Sequence, residues 1–185
     1  MSPEALPGQT LPSPWREFLE EVDELLSAPV RIECLGGFVI TVCYGLPRPT
    51  ADIDYISVLP QGEEHHLQTV AGPQSRLARK HRVWIHNVGV VNVPEDYEQR
   101  LLEMFPQHFR YLRLLALDPH DLALSKLERN SPKDREDVEY LAKRIPLDPA
   151  VLRERYEKEL RPYLVNLDRH DGTITLWLEA YFPRP

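Results

Sequence analysis

The stretch from Cys34 to Val58, C-L-G-G-F-V-I-T-V-C-Y-G-L-P-R-P-T-A-D-I-D-Y-I-S-V, constrains the chain most. Val30 to Leu35 reads as a short strand that runs into Gly36-Gly37. Phe38 to Tyr44 is apolar or β-branched, and pattern alone fits helix or strand. The glycines before it and the Gly45-Leu46-Pro47 break after it favour a helix. Asp52 to Leu59 then alternates. Asp52, Asp54, Ile56 and Val58 fall on one face of a strand, and Ile53, Tyr55 and Ser57 on the other.

The flanking chain supplies helices and further strands. Residues 1–12 carry Pro3, Pro7, Gly8 and Pro12 and are expected as a flexible lead-in. Ser13-Pro14 resembles a helix cap, followed by Trp15, Phe18, Leu19, Val22, Leu25 and Leu26 at helical spacing. Glu63 to Arg82 is helical in composition and broken by Gly72-Pro73; Val83 to Val93 reads as one or two buried strands. Pro94-Glu95-Asp96 opens a short helix through Leu102, and Phe109 to Leu117 is a further strand. From Asp118 the character changes. Asp118-Pro119, Ser131-Pro132 and Asp148-Pro149 each pair an N-cap residue with proline at the first helical position. A last helix is expected over Asp171 to Phe182. The expected organisation is a lead-in 1–12, an α/β core 13–117 and a helical region 118–185 packed on it.

Composition narrows the function classes. The net charge of −7 argues against general nucleic-acid binding, which needs clustered cations to neutralise phosphates. No apolar run approaches a membrane span and no signal-peptide pattern opens the chain, so a cytoplasmic location with no membrane partner is expected. Cys34 and Cys43 are too few for a disulfide framework or a zinc site and, in apolar surroundings, both read as buried reduced thiols.

Glycines at a strand-to-helix junction let backbone N–H groups approach a phosphate, although a glycine pair also serves as a plain tight turn. Asp52 and Asp54 would point into one space, where two carboxylates repel unless a cation lies between them; the plainer reading is a solvated strand end. Arg48 and Thr50 lie just before them and can orient phosphate or the aspartates. In the helical half, Lys126 and Arg129 share a helix face and suit phosphate, or pair locally with Glu128 and Asp134. The basic run from Arg76 to Arg82 reads as a solvated helix face or an RNA groove. His65-His66 read as surface, and Trp177, Tyr181 and Phe182 as core or interface.

Gly36-Gly37 followed by Arg48-Pro49-Thr50-Ala51-Asp52-Ile53-Asp54 resembles the signature of the nucleotidyltransferase superfamily, the polymerase-β-like fold. Its R-x-T-x-D-x-D form is similar to the branch of AbiEii-type toxins and to related uncharacterised bacterial proteins. Asp121 to Arg129 and Lys133 to Asp137 resemble that branch's downstream lysine–arginine–acid motif. The resemblance implies an α+β fold, a mixed sheet flanked by helices with a C-terminal helical region. It implies nucleotidyl transfer from an NTP to a hydroxyl acceptor, such as RNA, tRNA or protein, with Mg²⁺ or Mn²⁺, and for a toxin an antitoxin partner. By residue, Gly36 and Gly37 would cradle the triphosphate with Arg48 and Thr50 beside them. Asp52 and Asp54 would bind metal, Lys126 and Arg129 would contact phosphates, and Asp134 or Asp137 would complete the site. One departure stands out: the strand from Val83 has no Asp or Glu to serve as the usual third carboxylate. His86 sits near that place but reads as a satisfied strand histidine rather than a ligand, and Glu95, Asp96, Asp134 or Asp137 could substitute. A non-catalytic nucleotidyltransferase-like module that binds nucleotide or a partner protein is the rival reading.

Overall fold

The computed structural model of the protein describes Glu4–Ala5, residues 10–145 and residues 147–182. Much of the expected lead-in, residues 1–3 and 6–9, lies outside the described residues. The chain divides into two compact units. Unit 1 is Met1–Val90 with Arg100–Leu117, and unit 2 is Val91–Gln99 with Asp118–Pro185.

Unit 1 is built on a mixed six-stranded sheet. The strands are β1 (Glu4–Ala5), β2 (Val30–Leu35), β3 (Asp52–Leu59), β4 (Trp84–Asn87), β5 (Leu102–Met104) and β6 (Leu112–Ala116), arranged β1-β5-β6-β2-β3-β4. β2 lies between antiparallel β3 and parallel β6, and β4 runs parallel to β3 at the edge. Helix α1 (Trp15–Leu25) buries Trp15, Phe18, Leu19 and Val22 and packs on α3 (Glu64–Ala71) and α4 (Arg76–His81). Asp23 of α1 accepts the backbone N–H groups of Arg110, Tyr111 and Leu112 and so fixes the start of β6. The segment after Gly36-Gly37 is helical, with α2 (Gly36–Phe38) running into a π-helical turn, Val39–Cys43.

Several local expectations are corrected. Strict alternation put Val58 on the face of Asp52 and Asp54, but a β-bulge intervenes. Glu33 pairs with Ser57 and Cys34 with Tyr55, leaving Ile56 as the extra residue. Parity therefore changes, and Val58 is buried with Ile53 and Tyr55. The expected strand Val83–Val93 stops at Asn87, whose side chain accepts the Gly89 N–H at 2.6 Å. With Gly89 at φ +68° the chain turns off the sheet, leaving Val90 95 % exposed. Leu102 begins β5 rather than ending a helix, and the turn before it, Tyr97–Arg100, is 3₁₀. Pro14, not Ser13, occupies the N-cap position of α1, and no side chain caps it. Cys34 is buried as expected, but Cys43 is only partly so.

Unit 2 is helical: α5 (Pro119–Leu124), α6 (Pro132–Arg144), α7 (Pro149–Arg155) and α8 (Leu167–Tyr181). All three proline starts carry their expected caps, from Asp118, Ser131 and Asp148. α7 continues through a π turn, Tyr156–Leu160, and a 3₁₀ turn, Arg161–Tyr163. α8 starts earlier than expected, at Leu167, and buries His170, Thr173, Ile174 and Trp177 along one stripe. Arg155 reaches both Asp118 and Asp121 of α5, tying α7 to it.

Candidate metal and nucleotide site

The site in unit 1 begins with the register of three strands. Asp52 and Asp54 are two apart on β3 and share a face. β4 is aligned so that Trp84 stands beside Asp52 and His86 beside Asp54. The imidazole Nδ1 lies 3.1 Å from Asp54 Oδ1. One donor atom from each of Asp52, Asp54 and His86 falls within 4.8 Å of the others. The aspartates are half-buried and His86 is exposed, so the cluster opens outward.

Gly36 makes room for this cluster. Its φ is +78°, and a Cβ there would lie 2.4 Å from Asp54 Oδ2. Only a residue without a side chain lets the backbone turn come that close. Gly37 is next in line, where a Cβ would stand 3.2 Å from Thr50 Oγ1. That hydroxyl in turn donates to Asp52 Oδ1 at 3.2 Å. The glycine pair thus backs both aspartates, one directly and one through Thr50. Arg48 closes the preceding turn through its backbone, donating to Leu46 O at 2.8 Å and accepting from Thr41 Oγ1 at 3.0 Å. From the sequence, His86 stands near the place of a missing acid and reads as a strand histidine rather than a ligand. Its alignment with Asp54 is a matter of strand register, which no local pattern encodes. Trp84, on the same face, carried no signal at all.

Unit 2 gathers the other set. Lys126 is buried and lies 3.4 Å from Asp137 Oδ2 and 4.0 Å from Asp134 Oδ1. Arg129 makes two hydrogen bonds to Asp134, at 2.7 and 2.6 Å. Asp134 also closes a capping box with Ser131 at the start of α6. Burial works to raise the Asp134 pKa, but hydrogen bonds from Arg129 and Ser131 win and bring it to about 2. For Lys126 burial lowers the pKa, opposed by the charges of Asp137 and Asp134.

Elsewhere, two members of the basic run are engaged in unit 1. Lys80 and His81 both pair with Glu21 of α1. His65 and His66 are exposed, as expected of surface residues.

The model of a family described as a nucleotidyltransferase of unknown function (DUF6036) matches residues 16–177. The chain belongs to this family. The match takes in the Gly36–Asp54 segment and the Lys126–Asp137 segment alike. No curated protein and no solved structure matches the chain. A nucleotidyltransferase family implies an NTP substrate and a divalent cation, and the donor set fits one. Two carboxylates and an imidazole converge on one space, and the Nδ1–Oδ1 separation of 3.1 Å is close to that of adjacent ligands on one octahedral ion, about 3 Å for bonds of about 2.1 Å. Among the described residues no helix is long and apolar enough to cross a membrane.

Proposed function

We propose that this nucleotidyltransferase-family protein transfers a nucleotidyl group from an NTP to a hydroxyl acceptor, using a divalent cation held by Asp52 and Asp54. The observation that carries the reading is the pair of aspartates on one face of β3, backed by a glycine whose missing Cβ leaves room for Asp54. The acceptor oxygen bonds to the α-phosphorus and the bond to the bridging oxygen breaks. Pyrophosphate leaves with that electron pair, and the hydroxyl proton passes to solvent. When bound, the cation supplies Lewis-acid charge for the phosphate oxygens. The chain's own contribution is positioning. Thr50 orients Asp52, and the Gly36-Gly37 turn fixes Asp54 and offers backbone to a triphosphate. In unit 2, Lys126 and Arg129 are paired with Asp137 and Asp134, and a phosphate-contacting role for them rests on the resemblance alone. A toxin role, with an antitoxin partner, rests only on the resemblance of Arg48–Asp54 and of the downstream Asp121–Asp137 motif.

The test is incubation with each labelled NTP, Mg²⁺ or Mn²⁺, and total tRNA or cell protein. Label transfer should fall roughly 10²–10³-fold in Asp54→Ala, as for loss of a charge-stabilising group. Nucleotide that binds yet is transferred to no acceptor would support the non-catalytic reading, which the absence of an acid from β4 favours.

A further inference from the structure

We propose that His86 is a direct nitrogen ligand of the bound cation, and that it gives the site a preference for Mn²⁺ over Mg²⁺ beyond that of an all-carboxylate site. The inference rests on the reading of Asp52 and Asp54 as metal ligands. Three observations lead to it. β4 brings His86, rather than an acid, into register with Asp54. Its Nδ1 is 3.1 Å from Asp54 Oδ1, a spacing that serves a shared proton without metal and two neighbouring ligands with it. The side chain is 50 % exposed, so the ring reaches the ion without being unpacked from a core.

The chemistry then decides between ions. Mg²⁺ is a hard ion that takes oxygen donors and keeps its waters. Imidazole suits first-row transition ions, while carboxylate and phosphate oxygens suit Mg²⁺ and Mn²⁺. Of these two ions, Mn²⁺, a first-row transition ion, is the one that more readily accepts the nitrogen of His86 alongside the oxygens of the aspartates and a triphosphate. A third carboxylate at this position would add negative charge and favour Mg²⁺. Replacing it with a neutral nitrogen donor reduces the charge and shifts the preference.

The experiment uses the full chain, with Mn²⁺ and Mg²⁺ alone as probes. Affinities are measured by calorimetry for wild type, His86→Ala, His86→Asp and Asp54→Asn. Pulsed electron paramagnetic resonance of bound Mn²⁺ reports whether a nitrogen is coordinated. Wild type should show nitrogen coupling that disappears in His86→Ala, with Mn²⁺ affinity falling about tenfold or more and Mg²⁺ affinity nearly unchanged. His86→Asp should move the Mn²⁺/Mg²⁺ affinity ratio toward Mg²⁺. Absent nitrogen coupling in wild type, or a ratio that His86→Ala and His86→Asp leave unchanged, overturns the inference. Asp54→Asn separates the two levels. If it removes binding of both ions while the His86 variants change nothing, the metal site stands and only the role of His86 fails. If it leaves both ions bound, the reading of the aspartates fails and the inference with it. Circular dichroism confirms that each variant is folded.

Discussion

At the scale of single residues, Gly36 carries the sharpest constraint. Its backbone lies in the left-handed region, and the space its Cβ would take holds an oxygen of Asp54. Gly36→Ala should therefore cost about 1–2 kcal/mol from backbone strain alone. It should also displace the Asp54 carboxylate and weaken metal binding. Gly37→Ala meets only the Thr50 hydroxyl, at 3.2 Å, and has no left-handed φ to maintain. Urea midpoints and Mn²⁺ titration of the two variants check this, and equal effects from both would refute it. The glycine pair and Asp-x-Asp were legible in the sequence because they are local: a turn needs glycine, and a two-residue spacing puts side chains on one face. His86 was legible only as a histidine. Its place beside Asp54 comes from the pairing of strands 32 residues apart.

The elements repeat the same lesson. Cap-plus-proline starts at Asp118, Ser131 and Asp148 announced three helices, because capping chemistry is contained within four residues. Val58 was misplaced because the bulge at Ile56 is set by its partner β2, and alternation in one strand cannot reveal an extra residue opposite another. Val88–Val93 looks like a strand by propensity, but the Asn87–Gly89 turn overrides it. The capping box of α6 makes stability depend on pH. The Asp134 pKa is near 2 in the folded chain against an ordinary 3.8, because Arg129 and Ser131 outweigh the effect of burial. A carboxyl with a depressed folded pKa adds stability above its unfolded pKa and loses it as pH falls through the folded one. Asp134→Asn should thus cost about 1–3 kcal/mol at pH 7, as expected for losing charge-assisted hydrogen bonds to a buried carboxylate. The gap to wild type should narrow as pH falls from about 4 to about 2. Urea unfolding of both proteins at pH 7 and pH 3 measures it, and a gap that widens toward acid would contradict the assignment.

At the scale of the whole molecule, the chain does not complete one unit before starting the next. Val91–Gln99 leaves unit 1 between β4 and β5 and belongs to unit 2, after which Arg100–Leu117 returns to the sheet. Within unit 2 this strap is fixed by distant partners. The Glu95 N–H donates to Glu159 O at 3.1 Å, the Asp96 N–H lies 3.4 Å from the Glu159 carboxylate, and Asn92 pairs with Glu128. Read locally, Pro94-Glu95-Asp96 is a helix start; the Asp96 contact spans 63 positions, which no window-based reading reaches. A cut after Leu117 looks natural from the change in composition, yet it would leave the strap without Glu128 and Glu159. Val90 and Gly89 are already exposed at its entrance. A fragment ending at Leu117 should therefore be cleaved by protease within residues 88–99 on the order of tenfold faster than the full chain, since local opening there no longer breaks those bonds. In the full chain, Glu159→Ala should raise cleavage less, because the Glu95 bond goes to the residue 159 carbonyl, which the substitution keeps. Peptide mapping of the early products decides the matter. Equal cleavage of fragment and full chain would mean that the strap's order comes from unit 1 rather than from the helices that hold it here.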